Sequence, residues 1–274
     1  MARRITRENA KTFYFCSRLL PRDKRYAAYA VYAMCRISDD TVDIHSQGSL
    51  SLKGVEAKLN SAYSYGNPND PLIAAFKKTV ETYNIPREYF DELIKGMYID
   101  LEKSQYNNLD ELNDYCYKVA GVVGLVMLQI FGYSNDDAKI YAADLGRAMQ
   151  ITNILRDIKE DFDRGRIYLT REDMEYFKVR KEHIRDSILD KNFIALIKFY
   201  IGLARQNYYA SQKGIKMIRD ARARIVVRAM SSIYAGILKS IEKNGYDVFS
   251  RRAYVNTTKK LWLLVKILLK GRYI

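Results

Sequence analysis

No proline follows Pro86 in this chain of 274 residues. Proline removes a backbone donor and breaks helix interiors, so its absence over such a length permits long, uninterrupted helices. The hydrophobic spacing agrees. Tyr26, Tyr29, Ala30, Ala33 and Ile37 recur at helical intervals within a helix expected over 23–45. After a polar break, residues 52–65 are amphipathic, and Gly66 to Pro71 reads as a turn. Asp70-Pro71 opens a helix to about Tyr83, and Pro86 sits in the first turn of another that runs to about Lys103. A helix over 109–132, with Asp110 near its start, is apolar all round in its second half, which predicts burial. The next covers 135–162, with Asn135 as its cap and Gly165 as its stop. Later helices are expected over 182–210, 221–243 and 250–270. No strand pattern, repeat or low-complexity linker interrupts this series. The expectation is one all-α domain over 1–274.

Charge and cysteine usage narrow the partners. The formal net charge is +14, which favours an anionic partner: nucleic acid, anionic lipid or a phosphorylated substrate. Nucleic acid is disfavoured, because no recognised binding motif occurs and two acidic clusters would repel phosphate. The basic stretch Arg219–Arg228 reads as a solvated helix face. Cys16, Cys35 and Cys116 are odd in number and widely spaced, which argues against a disulfide framework or a zinc site. His45 and His183 are expected to be exposed. Met1 to Lys11 is polar and basic, unlike a secretory leader. The best apolar run, Val119 to Tyr133, is shorter than the roughly 20 residues that span a bilayer, so a cytoplasmic location is expected. The C-terminal run from Lys259 to Lys270 is both basic and apolar. It suits either an anionic membrane at the inner face or a terminal helix docked on the core with snorkelling lysines.

Two acidic constellations carry the chemistry. In Asp39-Asp40-Thr41-Val42-Asp43, three carboxylates crowd one helical face. In Asn153 to Asp161, the side chains of Asn153, Asp157 and Asp161 fall at i, i+4 and i+8, beside apolar Ile154, Leu155 and Ile158. Each cluster alone is matched by a solvated run of charges. Two such helices facing across a cavity would hold magnesium ions, which take hard oxygen ligands and leave positions for phosphate oxygens. Diphosphate could then leave as a neutralised anion, and an allylic carbocation would remain.

At this point the residues resemble the phytoene/squalene synthase family. The two clusters are similar to its aspartate-rich motifs. Lys11-Thr12-Phe13-Tyr14, Tyr32-Ala33-Met34-Cys35-Arg36, the run Tyr115 to Gly124 and Gly165-Arg166-Ile167-Tyr168-Leu169 also match family segments, in order, across about residues 9 to 175. The resemblance implies an isoprenoid synthase-type helical bundle around a central cavity, acting as a prenyltransferase that joins two prenyl diphosphates head to head. It implies that Asp39, Asp43, Asn153, Asp157 and Asp161 hold Mg²⁺, with Mn²⁺ as a substitute. It implies that Arg36, Arg156 and Arg252 bind diphosphate, and that Thr12, Phe13, Tyr32 and Tyr115 line the reaction centre. Val119, Ala120, Val123 and Gly124 would border the prenyl channel, and Gln150 and Tyr234 would complete the substrate set. The small residues Ala120, Gly121 and Gly124 serve a channel and close helix packing equally well. Thr170 stands where many relatives have proline, a peripheral change, and Phe162-Asp163 departs from the usual pair after Asp161.

Within the family the reading leans to two geranylgeranyl diphosphates and phytoene, as in carotenoid biosynthesis. Squalene or dehydrosqualene synthesis from farnesyl diphosphate is the alternative, and a non-catalytic assembly factor ranks below it. The absence of a glycine-rich dinucleotide fingerprint weakly disfavours NADPH. A terpene cyclase would share paired acidic motifs, but the Val-Ala-Gly helix argues against it.

Overall fold

A computed structural model describes the backbone of residues 1–43 and 48–270, and the side chains of 1–38 and 52–269. His45 and the side chains of Asp39, Asp40 and Asp43 lie outside the described residues. Among the described residues the fold is all-α, with no named strand. Its helices are α1 Ala2–Asn9, α2 Lys11–Ser17, α3 Arg22–Asp43, α4 Gly48–Tyr63, α5 Pro71–Thr82, α6 Glu88–Glu102, α7 Leu109–Cys116, α8 Val122–Phe131, α9 Ala138–Asp163, α10 Arg171–Tyr176, α11 Lys181–Arg185, α12 Lys191–Ile215, α13 Ala221–Lys243 and α14 Thr257–Lys270. Helix α9 forms the centre of the bundle, against α8, α12 and α13.

Local chemistry sets many of the boundaries. Asp70 accepts the Leu72 N–H at 2.7 Å, with Pro71 in the first turn. Gly165, at φ +81°, follows the end of α9 in the left-handed region that glycine adopts freely. Asn135 does not cap α9 as expected. Its side chain accepts the Asp137 N–H at 2.8 Å in a local turn, and the helix begins three residues later. The expected 182–210 helix is split, because Asp190 accepts the Phe193 N–H at 2.8 Å and restarts the chain as α12. The last helix begins at Thr257 rather than 250, since Asp247 holds the N–H groups of Phe249 and Ser250 in a turn. The helices α1, α2 and α10 were not expected, because six to eight residues are too short a window for a helical period to be read from sequence.

The expected 109–132 helix is interrupted by a π-helical turn over Tyr117–Gly121, where the Val122 N–H reaches back to the Tyr117 carbonyl. The whole segment Leu109–Phe131 reaches the length and apolarity of a membrane-crossing helix, beyond the shorter run read from sequence. Here that apolar surface packs against α6 and α9. A β-carbon on Gly124 would lie 2.3 Å from the Ala142 carbonyl oxygen, and one on Gly146 would lie 2.3 Å from that of Ala120. The small residues therefore let α8 and the π turn close on the α9 backbone.

His183 is buried, not exposed as expected. Its Nδ1 accepts the Arg180 N–H at 3.1 Å, and its Nε2 lies 3.5 Å from Asp190. Thr170 is fully buried rather than peripheral. Its N–H donates to the Tyr200 hydroxyl at 2.9 Å, a bond that proline cannot make. All three cysteines are buried, and burial pushes the Cys16 thiol up to about 12.

Candidate active site

A cavity of about 980 Å³ runs through the bundle, at the upper end of the range for small-molecule sites. One stripe of α9 lines it from end to end, from Ala138 through Ala142, Leu145 and Met149 to Asn153, Asp157 and Asp161. These positions repeat every three or four residues, so a single helix face carries oxygen ligands at one end and apolar groups at the other.

The polar end rests on the second acidic motif. The backbone leaves helical geometry at Asp157, with φ −113° and ψ 15°. Adjacent side chains on a regular helix diverge, yet here Arg156 forks onto Asp157, with Nε to Oδ1 at 2.9 Å and Nη2 to Oδ2 at 2.5 Å. Arg252, from the segment before α14, adds Nε to the same Oδ1 at 2.9 Å. Glu160 pairs with Arg164 at 2.9 Å and more loosely with Arg252 at 3.8 Å. Asp161 is pushed up to about 7, first by burial and then by the charges of Asp157, Asp100 and Glu160. Among the described residues, the buried Asn153 Oδ1 finds no hydrogen-bond partner.

This donor set fits a hard divalent cation. Asn153 offers an unsatisfied oxygen, and the Asp161 carboxylate needs a counter-charge to ionise fully. Among the described residues, no three His, Cys, Asp or Glu side chains converge as a metal site by themselves. The second motif thus supplies only part of a coordination shell, consistent with a cation shared with phosphate oxygens.

The structure brings most of the sequence-derived residues to this one cavity. Thr12 and Phe13 of α2 and Tyr32 and Arg36 of α3 line it on one side. Val119, Ala120, Val123 and Gly124 face it from the π turn and α8. Gln150, Asn153, Arg156, Asp157 and Asp161 come from α9, Tyr234 from α13, and Arg252 from the segment before α14. Asp39 and Asp43 lie on α3, with side chains outside the described residues. Tyr115 is the exception. It is buried behind the wall, with its hydroxyl 2.8 Å from Asp100 Oδ2. Tyr168 stacks on it at 5.3 Å and donates to the same carboxylate at 3.0 Å. Burial and the Asp100 charge hold both phenols well above their ordinary range, so both remain neutral donors.

Two contributors were missed from sequence. Asp100 of α6 belongs to no motif recognised in the sequence. Lys260 of α14 lines the cavity and donates to Thr12 Oγ1 at 2.7 Å, across 248 positions of sequence. No local signal announces such a pair.

Comparison with known proteins follows the same lines. Residues 6–259 match the family profile described as squalene/phytoene synthase. The chain is 38% identical to a phytoene synthase of Arthrospira platensis, with 99% of this chain and 93% of that one aligned. It is 37% identical to the 15-cis-phytoene synthase of a Synechocystis species, over 98% of this chain and 85% of that one. A solved dehydrosqualene synthase in complex with ligand superposes with a TM-score of 0.93 at 30% identity, covering 100% of this chain and 96% of the other.

Proposed function

The chain belongs to the squalene/phytoene synthase family of prenyltransferases, and from that premise we propose that it condenses two geranylgeranyl diphosphates head to head into phytoene. The observation that carries this reading is the single α9 stripe, which joins a carboxylate-bearing end to a long apolar channel. A diphosphate with a prenyl tail has the same polarity along its length.

The reaction has two halves. One diphosphate leaves, and its allylic cation is attacked by the C2–C3 double bond of the second substrate. Loss of a proton gives a cyclopropylcarbinyl diphosphate. The second diphosphate then leaves, the carbon skeleton rearranges, and a second proton is lost to give the central triene. Two diphosphates and two protons are released for each C40 product.

Asn153, Asp157 and Asp161, together with Asp39 and Asp43 of the first acidic motif, would hold Mg²⁺, which when bound neutralises the departing diphosphate. Arg156 and Arg252 both pair with Asp157 at that end, and in this reading they turn from it to phosphate oxygens as substrate enters. Phe13 and Tyr32, whose rings lie 5.8 Å apart, offer π faces to the carbocation. The apolar wall of Val119, Val123 and Met149 keeps water from quenching it.

The test is incubation of purified protein with geranylgeranyl or farnesyl diphosphate and Mg²⁺, with and without NADPH, followed by mass identification of extracted hydrocarbon. A C40 hydrocarbon with a central conjugated triene, formed without NADPH, supports the reading. A C30 product supports the second reading, dehydrosqualene or squalene synthesis, which the likeness to a dehydrosqualene synthase favours. No hydrocarbon from folded protein overturns both.

The proposal includes a peripheral contact with anionic membrane. Leu264 of α14 is buried against the core, yet Leu261, Trp262, Val265, Leu268 and Leu269 are exposed on the outward side. Lys266 lies over the Trp262 ring at 5.0 Å, and the chain is strongly basic. An apolar stripe flanked by lysines suits the inner face of a bilayer rich in anionic lipid, from which long-chain substrates partition. Because Lys260 lines the cavity, deleting the helix would damage the site as well. Trp262→Glu with Val265→Glu is the cleaner perturbation. Loss of sedimentation with phosphatidylglycerol vesicles supports the contact, and unchanged sedimentation refutes it.

A further inference from the structure

One stripe of α9 steps down in size along the cavity. Below Asn153 this stripe carries Met149 and Leu145 and then Ala142 and Ala138, with Tyr141 lining the cavity beside Ala142. At about 1.5 Å of rise per residue, Leu145 lies about 18 Å from Asp157, Ala142 about 22 Å and Ala138 about 28 Å. Four C–C bonds of about 1.5 Å at ordinary angles extend about 5 Å, so a C15 tail spans about 15 Å and a C20 tail about 20 Å. With the first carbon a few ångströms below Asp157, a C15 tail ends near Leu145. The fourth isoprene unit of a C20 tail reaches Ala142 and ends about one helical turn short of the level of Ala138.

Phe131, at the end of α8, and Ile218, after α12, also line the cavity and serve as its floor in this reading, and the chain around them is laced by backbone bonds. The Ser134 N–H donates to the Met217 carbonyl at 2.9 Å, and the Arg219 N–H to the Gly132 carbonyl at 2.8 Å. Lys24 Nζ braces the same corner, donating to the Phe131 carbonyl at 3.0 Å and to Asp220 at 2.8 Å. Such a floor does not recede to admit a longer tail.

Resting on the prenyltransferase reading above, we infer that Ala138 and Ala142, over the Phe131–Ile218 floor, form the compartment for the fourth isoprene unit and select C20 over C15 allylic diphosphates. A C15 tail leaves this compartment unfilled and loses its burial. A larger side chain at either alanine removes the compartment and reverses the preference.

The experiment offers equimolar C15 and C20 diphosphates to the native protein and to Ala142→Phe, Ala142→Leu and Ala138→Leu, and measures the ratio of C40 to C30 hydrocarbon. Circular dichroism checks each fold. The expected result is a fall in that ratio of at least about tenfold in Ala142→Phe, with a smaller fall for the leucines, the usual scale for a few methylenes in an apolar pocket. A variant that folds but turns over neither substrate is read by its affinities for unreactive C15 and C20 thiolodiphosphates. Selective loss of the C20 ligand supports the compartment, and equal loss of both overturns it. A wild-type product ratio from folded Ala142→Phe also overturns it. Failure of the native protein to form any coupled hydrocarbon would strike the prenyltransferase reading instead, and the affinity ratio would still decide the compartment.

Discussion

Glycine-to-alanine substitution should have opposite signs at two helical positions of this protein. At Gly202, inside α12, a new β-carbon meets nothing within 4 Å. Alanine there gains helix propensity and restricts the unfolded chain, worth about 0.5–1 kcal/mol of stability. At Gly124 the new β-carbon would lie 2.3 Å from the Ala142 carbonyl oxygen, where ordinary contact begins at 3.4 Å. The obstructing atom is backbone of the central helix, so relief requires α8 and α9 to part by about 1 Å. Overpacking of this kind costs about 1–3 kcal/mol or more, which exceeds the propensity gain. The net loss of about 2 kcal/mol corresponds to a fall in Tm of about 4–8 °C for a chain of this size, against a rise of about 2–4 °C for Gly202→Ala. Thermal melts of the two variants beside the native protein decide the matter. A Gly124→Ala protein melting at or above the native temperature would refute the close α8–α9 contact.

Three further outcomes follow from the site and the caps. Asp157→Ala should abolish turnover while the far-ultraviolet spectrum stays native, and so should Asp39→Ala; near-normal activity in either removes the metal assignment. Asp161 carries a folded pKa near 7 against an ordinary 3.8, so between those values the folded state holds a proton that the unfolded chain releases. Its contribution to stability therefore falls as pH rises from 4 to 7, by at most about 4 kcal/mol. Metal-free Asp161→Asn should escape this loss, and its urea midpoint should exceed the native one increasingly up to pH 7, while its activity is lost; a pH-independent difference contradicts the burial argument. Asp190→Ala removes the N-cap of α12 and the His183 contact, and should cost about 1 kcal/mol in urea unfolding.

Much of this protein is legible in one dimension. The helices follow from period and proline placement, because helical hydrogen bonds close within a few residues of sequence. Asp70-Pro71 and Gly165 were readable for that reason, and the second acidic motif was readable because i, i+4 and i+8 share a helix face wherever the helix lies. The failures are also local in cause. Asn135 turned its side chain to Asp137, and Asp190 offered a cap that broke an otherwise continuous apolar pattern.

Tertiary structure decided what spacing cannot encode. It brought Lys260 to Thr12 and Arg252 to Asp157, contacts that depend on how the last helices return across the bundle. It moved Tyr115 behind the wall, where Asp100 and Tyr168 hold it. It also resolved the two readings of the small residues on α8: Gly124 lines the channel and at the same time lets α9 approach. A sequence states which side chains share a face, because that depends on bonds and torsions along the chain. Which face meets which is set by the packing of the whole core, where every side chain's volume counts at once.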